Sequence, residues 1–416
     1  MEKLVPLIKP FAGLRPKQGR EGDVIAPPYD VVSRVEAKDM AVNKPWSFLH
    51  ISRPEIDLPD SVLNTDSEAY TKGLGNLKKM IDEGVLERDE GSFYYAYRLT
   101  VDDHSQLGIV ATASIEDYQS NRIKKHEHTR IEKENDRVKQ IDTLNAQTGP
   151  VFLIYKSTDK IENLLKVAVD READVKVIAD DGVRHEIWVV RENAFIEPLT
   201  ENFNSMKSIY VADGHHRSAA ASRVALQRKE NNPNHTGKEN YNFFLSVIFP
   251  HNQVKLLDYN RLVRDLNGKS NEDFLDLLKK NFNVRSIGKR YKPLRKQEFG
   301  MYLDKQWFVL NLKIPQKSKD PVADLDVSIL ADCILEPLLG ITDPRIDERI
   351  DFVGGIRGME ELEKRVDSGK WSVAFSLFPT SVEALMAVAD AGDVMPPKST
   401  WFEPKLADGL ISHMLD

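Results

Sequence analysis

The chain has 416 residues, 41% of them hydrophobic and 30% charged, with a net charge of −7. That length suits two or three domains, and the acidic balance argues against a general nucleic-acid binder. The single cysteine, Cys333, excludes an intrachain disulfide and a cysteine-built zinc site. The opening residues Met1–Pro6 lack the apolar core of a signal peptide, and no segment approaches the length of a membrane span. The expected compartment is the cytoplasm.

Strand and helix signals are mixed along the whole chain, which predicts an α+β (mixed α/β) fold. The first fifty residues are rich in turn formers, and Val24–Asp30 reads as a strand ending in a rigid Pro27-Pro28 loop. A helix is expected over 68–83, then a hairpin, 93–101 with 106–115, turning at Asp102-Asp103. Residues 121–140 are almost entirely polar. Further strands are expected at 150–155, 183–190 and 241–249. Later in the chain, 324–339 reads as an apolar helix and 371–377 as a buried strand. Helices are expected at 359–368 and 381–391, the last with a capping box over Thr380–Glu383.

The most informative run is Ser208-Ile209-Tyr210-Val211-Ala212-Asp213-Gly214-His215-His216-Arg217-Ser218. It predicts a buried strand, a tight turn at Gly214 and a helix from about Ser218 to Arg228. A helix N-terminus with two histidines and an arginine beside it is suited to an anion, phosphate being the commonest. Asp213 adds a carboxylate able to hold a metal ion or take a proton.

Three other clusters carry chemistry. In Arg122–Arg130 a glutamate, Glu127, stands between His126 and His128 among lysines and arginines. This suits either a solvated charged helix or proton transfer beside a phosphate. His126 and His128 are two apart, so on a helix they diverge by about 200° and cannot form a metalloprotease pair. Zinc held by His126, His128, His215 and His216 together would need tertiary convergence. Lys398, Ser399 and Thr400 follow Pro396-Pro397 in an extended loop that offers charge and hydroxyl donors to phosphate, without the glycines of a P-loop. The glycine- and arginine-rich piece Asp347–Gly358 is a weaker candidate of the same kind.

Taken together, Pro10–Pro16, Ala26–Val31, Ser47–His50, Lys125-His126-Glu127 with Thr129-Arg130, Ala212–Arg217 and Pro396–Thr400 resemble the prokaryotic family called domain of unknown function 1015, over essentially the whole chain. The Asp-Gly-His-His-Arg turn is also similar to the signature of free-serine kinases of the ParB/sulfiredoxin-like fold. That similarity implies such a core, expected at 116–259, with large additions at 1–115 and 260–416. It further implies phosphoryl transfer between an adenine nucleotide (ATP or ADP, with Mg2+) and free L-serine or O-phosphoserine, its direction open.

By the same similarity Glu127 would be the base, and Asp213 would assist the hydroxyl or a magnesium ion. His215, His216 and Arg217 would hold phosphate, and His126, Thr129, Arg130 and Gly214 would complete the substrate site. The sulfiredoxin reaction is not expected, because the equivalent turn has no cysteine. Neither DNA nor a membrane is an expected partner. The alternatives are a phosphoserine phosphatase and a non-catalytic nucleotide-binding regulator.

Overall fold

The computed structural model describes residues 5–416; Met1–Leu4, part of the segment expected to lack a signal peptide, lie outside it. The chain forms two compact units, one made of Met1–Val254 with Pro404–Asp416 and the other of Lys255–Glu403. Helices and sheets alternate throughout, as the mixed α/β expectation holds. No helix among the described residues is long and apolar enough to cross a membrane.

The first unit is built on a nine-stranded sheet. Its strands are β1 (Ile8–Lys9), β2 (Tyr94–Val101), β3 (His104–Ser114), β4 (Ile123–Lys124), β5 (Val151–Tyr155), β6 (Val175–Ile178), β7 (Arg184–Val190), β8 (Ile209–Asp213) and β9 (Phe243–Pro250). They lie in the order β4-β8-β5-β9-β3-β2-β7-β6, with β1 beside β3. The β4–β8 and β5–β9 pairs are parallel and the rest antiparallel. The central strands β5 and β9 are buried at every position. This explains why they read as near-continuous apolar runs, interrupted only by the buried Ser246 of β9, instead of alternating.

Two helices matter for the site: α1 (Ile131–Leu144) and α2 (His215–Asn231). They pack together, and Arg223 of α2 donates to Glu134 of α1 at 3.2 Å while Arg228 reaches Asp142 at 3.0 Å. The C-terminal strand Ser412–Met414 completes a four-stranded sheet with Gly13–Pro16, Leu86–Arg88 and Ala146–Gln147.

The second unit holds a six-stranded sheet with helices Asn271–Asn281 and Gly358–Asp367, among others. Its ends, Lys255–Leu257 and Trp401–Glu403, pair antiparallel with Lys255 opposite Glu403.

Several local expectations need correction. Val24–Asp30 is not a strand: Glu21–Val24 is a short helix, and only Ala26 bridges, to Asp408. Pro27 and Pro28 have no amide hydrogen with which to extend a ladder. The helix expected over 324–339 is α-helical only at Asp326–Leu330 and widens into a π turn at Ala331–Leu335, where Glu336 N donates to the Ala331 carbonyl. The cap of Val382–Ala391 is Ser381 accepting from Ala384 N, while the Thr380 hydroxyl is drawn away to the Ser399 carbonyl.

Candidate functional site

Strand pairing explains why two clusters far apart in sequence meet. In the parallel β4–β8 pair, Ile209 lies opposite Ile123 and Tyr210 opposite Lys124. Both strands therefore run out at the same edge, and continuing the register sets His126 and Glu127 beside Ala212 and Asp213. The Glu127 carboxylate lies 3.9 Å from His215 Nδ1. The His126 and His215 rings meet edge to face, 4.5 Å apart at an angle of 88°.

The turn itself is shaped by the backbone. A bulge between Val211 and Asp213 breaks the β8–β5 register just before the turn, which re-aims Asp213. Gly214 adopts φ +96°, and a Cβ there would lie 3.0 Å from the Arg217 Nε. Glycine is thus required twice, by conformation and by close approach. With Gly214 left-handed, α2 begins at His215, three residues earlier than expected, so His215, His216 and Arg217 all occupy its first turn.

The Asp213 carboxylate is already engaged. Oδ1 accepts from Gly214 N at 2.9 Å and Oδ2 from Lys405 Nζ at 3.0 Å. Burial pushes its pKa up, but Lys405 and Arg217 outweigh that and hold it well below the usual carboxylate range. The Arg217 guanidinium donates to the Pro150 carbonyl at 2.5 Å, while its buried Nε has no partner. Burial opposes its charge, but Asp30 and Asp213 keep its pKa above the ordinary value.

The histidines are neutral near pH 7. Burial lowers His126 to about 4, opposed only in part by the nearby Val211 carbonyl and Asp213; neither ring nitrogen is in hydrogen-bonding geometry. Burial and then the neighbouring His126 hold His215 well below its ordinary value. Burial and Lys133 take His216 to about 4, and its Nδ1 is buried without a partner. In this state the imidazoles carry no charge, and with Lys405 paired to Asp213 the net positive charge of the turn comes from Arg217.

The remaining expected residues divide. Thr129 gives its hydroxyl to Glu134, and exposed Arg130 is the N-cap residue of α1. Lys398, Ser399 and Thr400 belong to the second unit. There Lys398 sits 5.8 Å from the Tyr259 ring, and Ser399 donates to the Pro396 carbonyl at 2.6 Å.

Sequence reasoning missed Lys405 and Asp408, which approach Asp213 and Arg217 from the far end of the chain. It also missed Arg137, whose guanidinium stacks 3.9 Å from the Tyr29 ring and donates to Asp136 at 2.6 Å. Asp408, Arg137, Arg217, Tyr29 and Ser52 share with apolar side chains such as Ile141 the lining of a small cavity of about 30 Å³, room for roughly two waters. No local pattern marks these residues; they are assembled by the fold.

Fold and site together define a mixed α/β protein with a strand–turn–helix junction crowded with ionisable side chains. The sequence matches the family described as protein of unknown function (DUF1015) over residues 8–328, and the chain belongs to that family. No curated protein matches it. Among solved structures it is similar to a free serine kinase in complex with AMP, at 15% identity and a TM-score of 0.36, covering 70% of this chain and 86% of that one. It is also similar to a conserved hypothetical protein from Pyrococcus furiosus (14% identity, TM-score 0.35, 73% and 95% covered). A third is SbnI with C-terminal truncation from Staphylococcus aureus (10%, 0.38, 72% and 85%).

Proposed function

We propose that this protein is a nucleotide-dependent phosphotransferase acting on free L-serine or O-phosphoserine, with a ParB/sulfiredoxin-like core around β8 and α2. The observation that carries the reading is the juxtaposition of a half-exposed carboxylate, Glu127, with an anion cradle 3.9 Å away at His215. A phosphate suits that turn: Arg217 Nε is buried without a partner, Gly214 presents no Cβ, and the N-terminus of α2 has no side-chain cap.

In this reading Glu127 takes the proton of the substrate hydroxyl. Arg217 and the α2 N-terminus stabilise negative charge on the transferred oxygens, and His215 and His216 donate hydrogen bonds to them. A bound phosphate would raise both histidine pKa values towards neutrality. Asp213 positions Lys405 at the mouth of the turn. An adenine nucleotide with Mg2+ supplies or accepts the phosphoryl group. His126, Thr129 and Arg130 support the Glu127 segment.

The test is phosphorus NMR of the protein with Mg2+ and O-phosphoserine, with and without ADP. Appearance of ATP supports the transferase. Inorganic phosphate without nucleotide would replace it with a phosphatase, and no change in either tube would remove serine chemistry. Glu127→Gln should lower transfer by at least about 100-fold with an unchanged circular dichroism spectrum. Full activity in that variant would end the assignment of Glu127 as base.

A further inference from the structure

The Glu127 cluster has a second property that proton transfer does not use. His126, Glu127 and His215 each offer a ligand atom, and these atoms lie within 4.8 Å of one another. Both imidazoles are deeply buried, His126 at 2% and His215 at 5% exposure. Even so, Nδ1 and Nε2 of His126 and Nε2 of His215 have no hydrogen-bond partner. Leaving three ring nitrogens unsatisfied in the interior is costly unless something meets them. The two rings stand nearly perpendicular, at 88° with centroids 4.5 Å apart.

We propose that His126, Glu127 and His215 bind one divalent first-row transition-metal ion, of the Zn2+, Co2+ or Mn2+ kind, in preference to Mg2+. Two imidazoles and a carboxylate on one side of an ion leave its other positions open, a set that suits these metals. Mg2+ demands oxygens in near-octahedral order, and the cluster supplies a single carboxylate. Ligands about 2.1 Å from one ion lie roughly 3.4 Å apart in tetrahedral geometry. The 3.9 Å between Glu127 and His215 Nδ1 is within about half an ångström of that spacing, and the Glu127 side chain is 43% exposed. Asp213 stays outside the set, since Lys405 holds it at 3.0 Å and is neutralised by it. His128, exposed on the same loop, is outside it as well.

The site stands whether or not the protein transfers phosphate. One consequence does rest on the phosphotransferase reading: a carboxylate bound to a metal cannot also accept the substrate proton, so Zn2+ would inhibit transfer and a chelator would restore it.

The experiment is a titration of the chelator-treated full-length protein with Co2+, followed by visible absorption. One equivalent per chain should produce d–d bands of a nitrogen- and oxygen-ligated ion. One equivalent of Zn2+ should abolish the bands, and a large excess of Mg2+ should leave them. Glu127→Gln, at an exposed position that should not disturb folding, is expected to weaken binding at least 10-fold, and His126→Gln likewise. His128→Ala should leave it unchanged. Absence of stoichiometric bands, or binding that survives Glu127→Gln but is lost in His128→Ala, would overturn the site.

Discussion

Asp408 shows how burial sets chemistry at a single residue. Its carboxyl is 2% exposed, with Oδ1 unpartnered, and burial pushes its pKa up to about 7 despite Arg217 nearby. In the unfolded chain it would titrate near an ordinary aspartate value of about 3.9. A folded pKa raised above the unfolded one means that its stabilising contribution is full below about pH 4 and is lost as pH rises to about 7. Asp408→Asn, which cannot ionise, should therefore escape this loss. Its stability relative to the parent should improve by roughly 2–3 kcal/mol between about pH 5 and pH 8, read from urea unfolding at the two values. An unchanged difference would show that Asp408 titrates normally. That Asp408 and Arg137 would gather around Arg217 was not legible in sequence, because the three come together only through tertiary packing. Glu127 and the Asp213–Arg217 turn were legible as candidates, because each sits in a dense run of ionisable groups.

At the scale of elements, the turn between β8 and α2 is where local conformation and chemistry depend on each other. Gly214 at φ +96° would cost an L residue about 1–2 kcal/mol in backbone strain. A methyl there would also push on the Arg217 guanidinium at 3.0–3.2 Å. Gly214→Ala should thus lower stability by about 1–3 kcal/mol and weaken phosphate binding, measured by denaturant unfolding and by phosphate titration. Gly149→Ala is the matched control. Its Cβ would come no closer than 3.4 Å to Arg217 Cδ and Asp408 Oδ1, an ordinary contact, so it should be tolerated.

The element pattern was readable where hydrophobic runs were long: β5, β8 and β9 were all anticipated within two residues of their bounds. It failed where one residue type overrides a run. Prolines stopped a ladder after Ala26, and glycine at 214 moved a helix start by three residues. Neither periodicity nor propensity reports these events, which are set by a missing amide hydrogen in one case and a left-handed backbone in the other.

For the whole molecule, the route of the chain matters more than its composition. The first unit is closed by its last segment, Pro404–Asp416, while Lys255–Glu403 forms a unit of its own between the two parts. Lys255 and Glu403 are direct partners across an antiparallel pair, which places their Cα atoms about 5 Å apart. A chain in which Val254 joins Pro404 through a two- or three-residue linker should therefore fold as the first unit, with a single cooperative thermal transition. Aggregation or a molten spectrum would show that the second unit is needed for the first to fold.

The return of the C-terminal segment has a consequence for synthesis. Lys405, which holds Asp213, and the strand Ser412–Met414, which completes a sheet with Gly13–Pro16, are made only after the whole of the second unit. While the ribosome is still translating the second unit, the Asp213 turn exists without its lysine and the Gly13–Pro16 strand without its neighbour. The Asp213–Lys405 pair therefore forms only after residues 255–403 have been synthesised, so a chain terminated within the second unit would keep the Asp213 turn but lack the lysine that holds it.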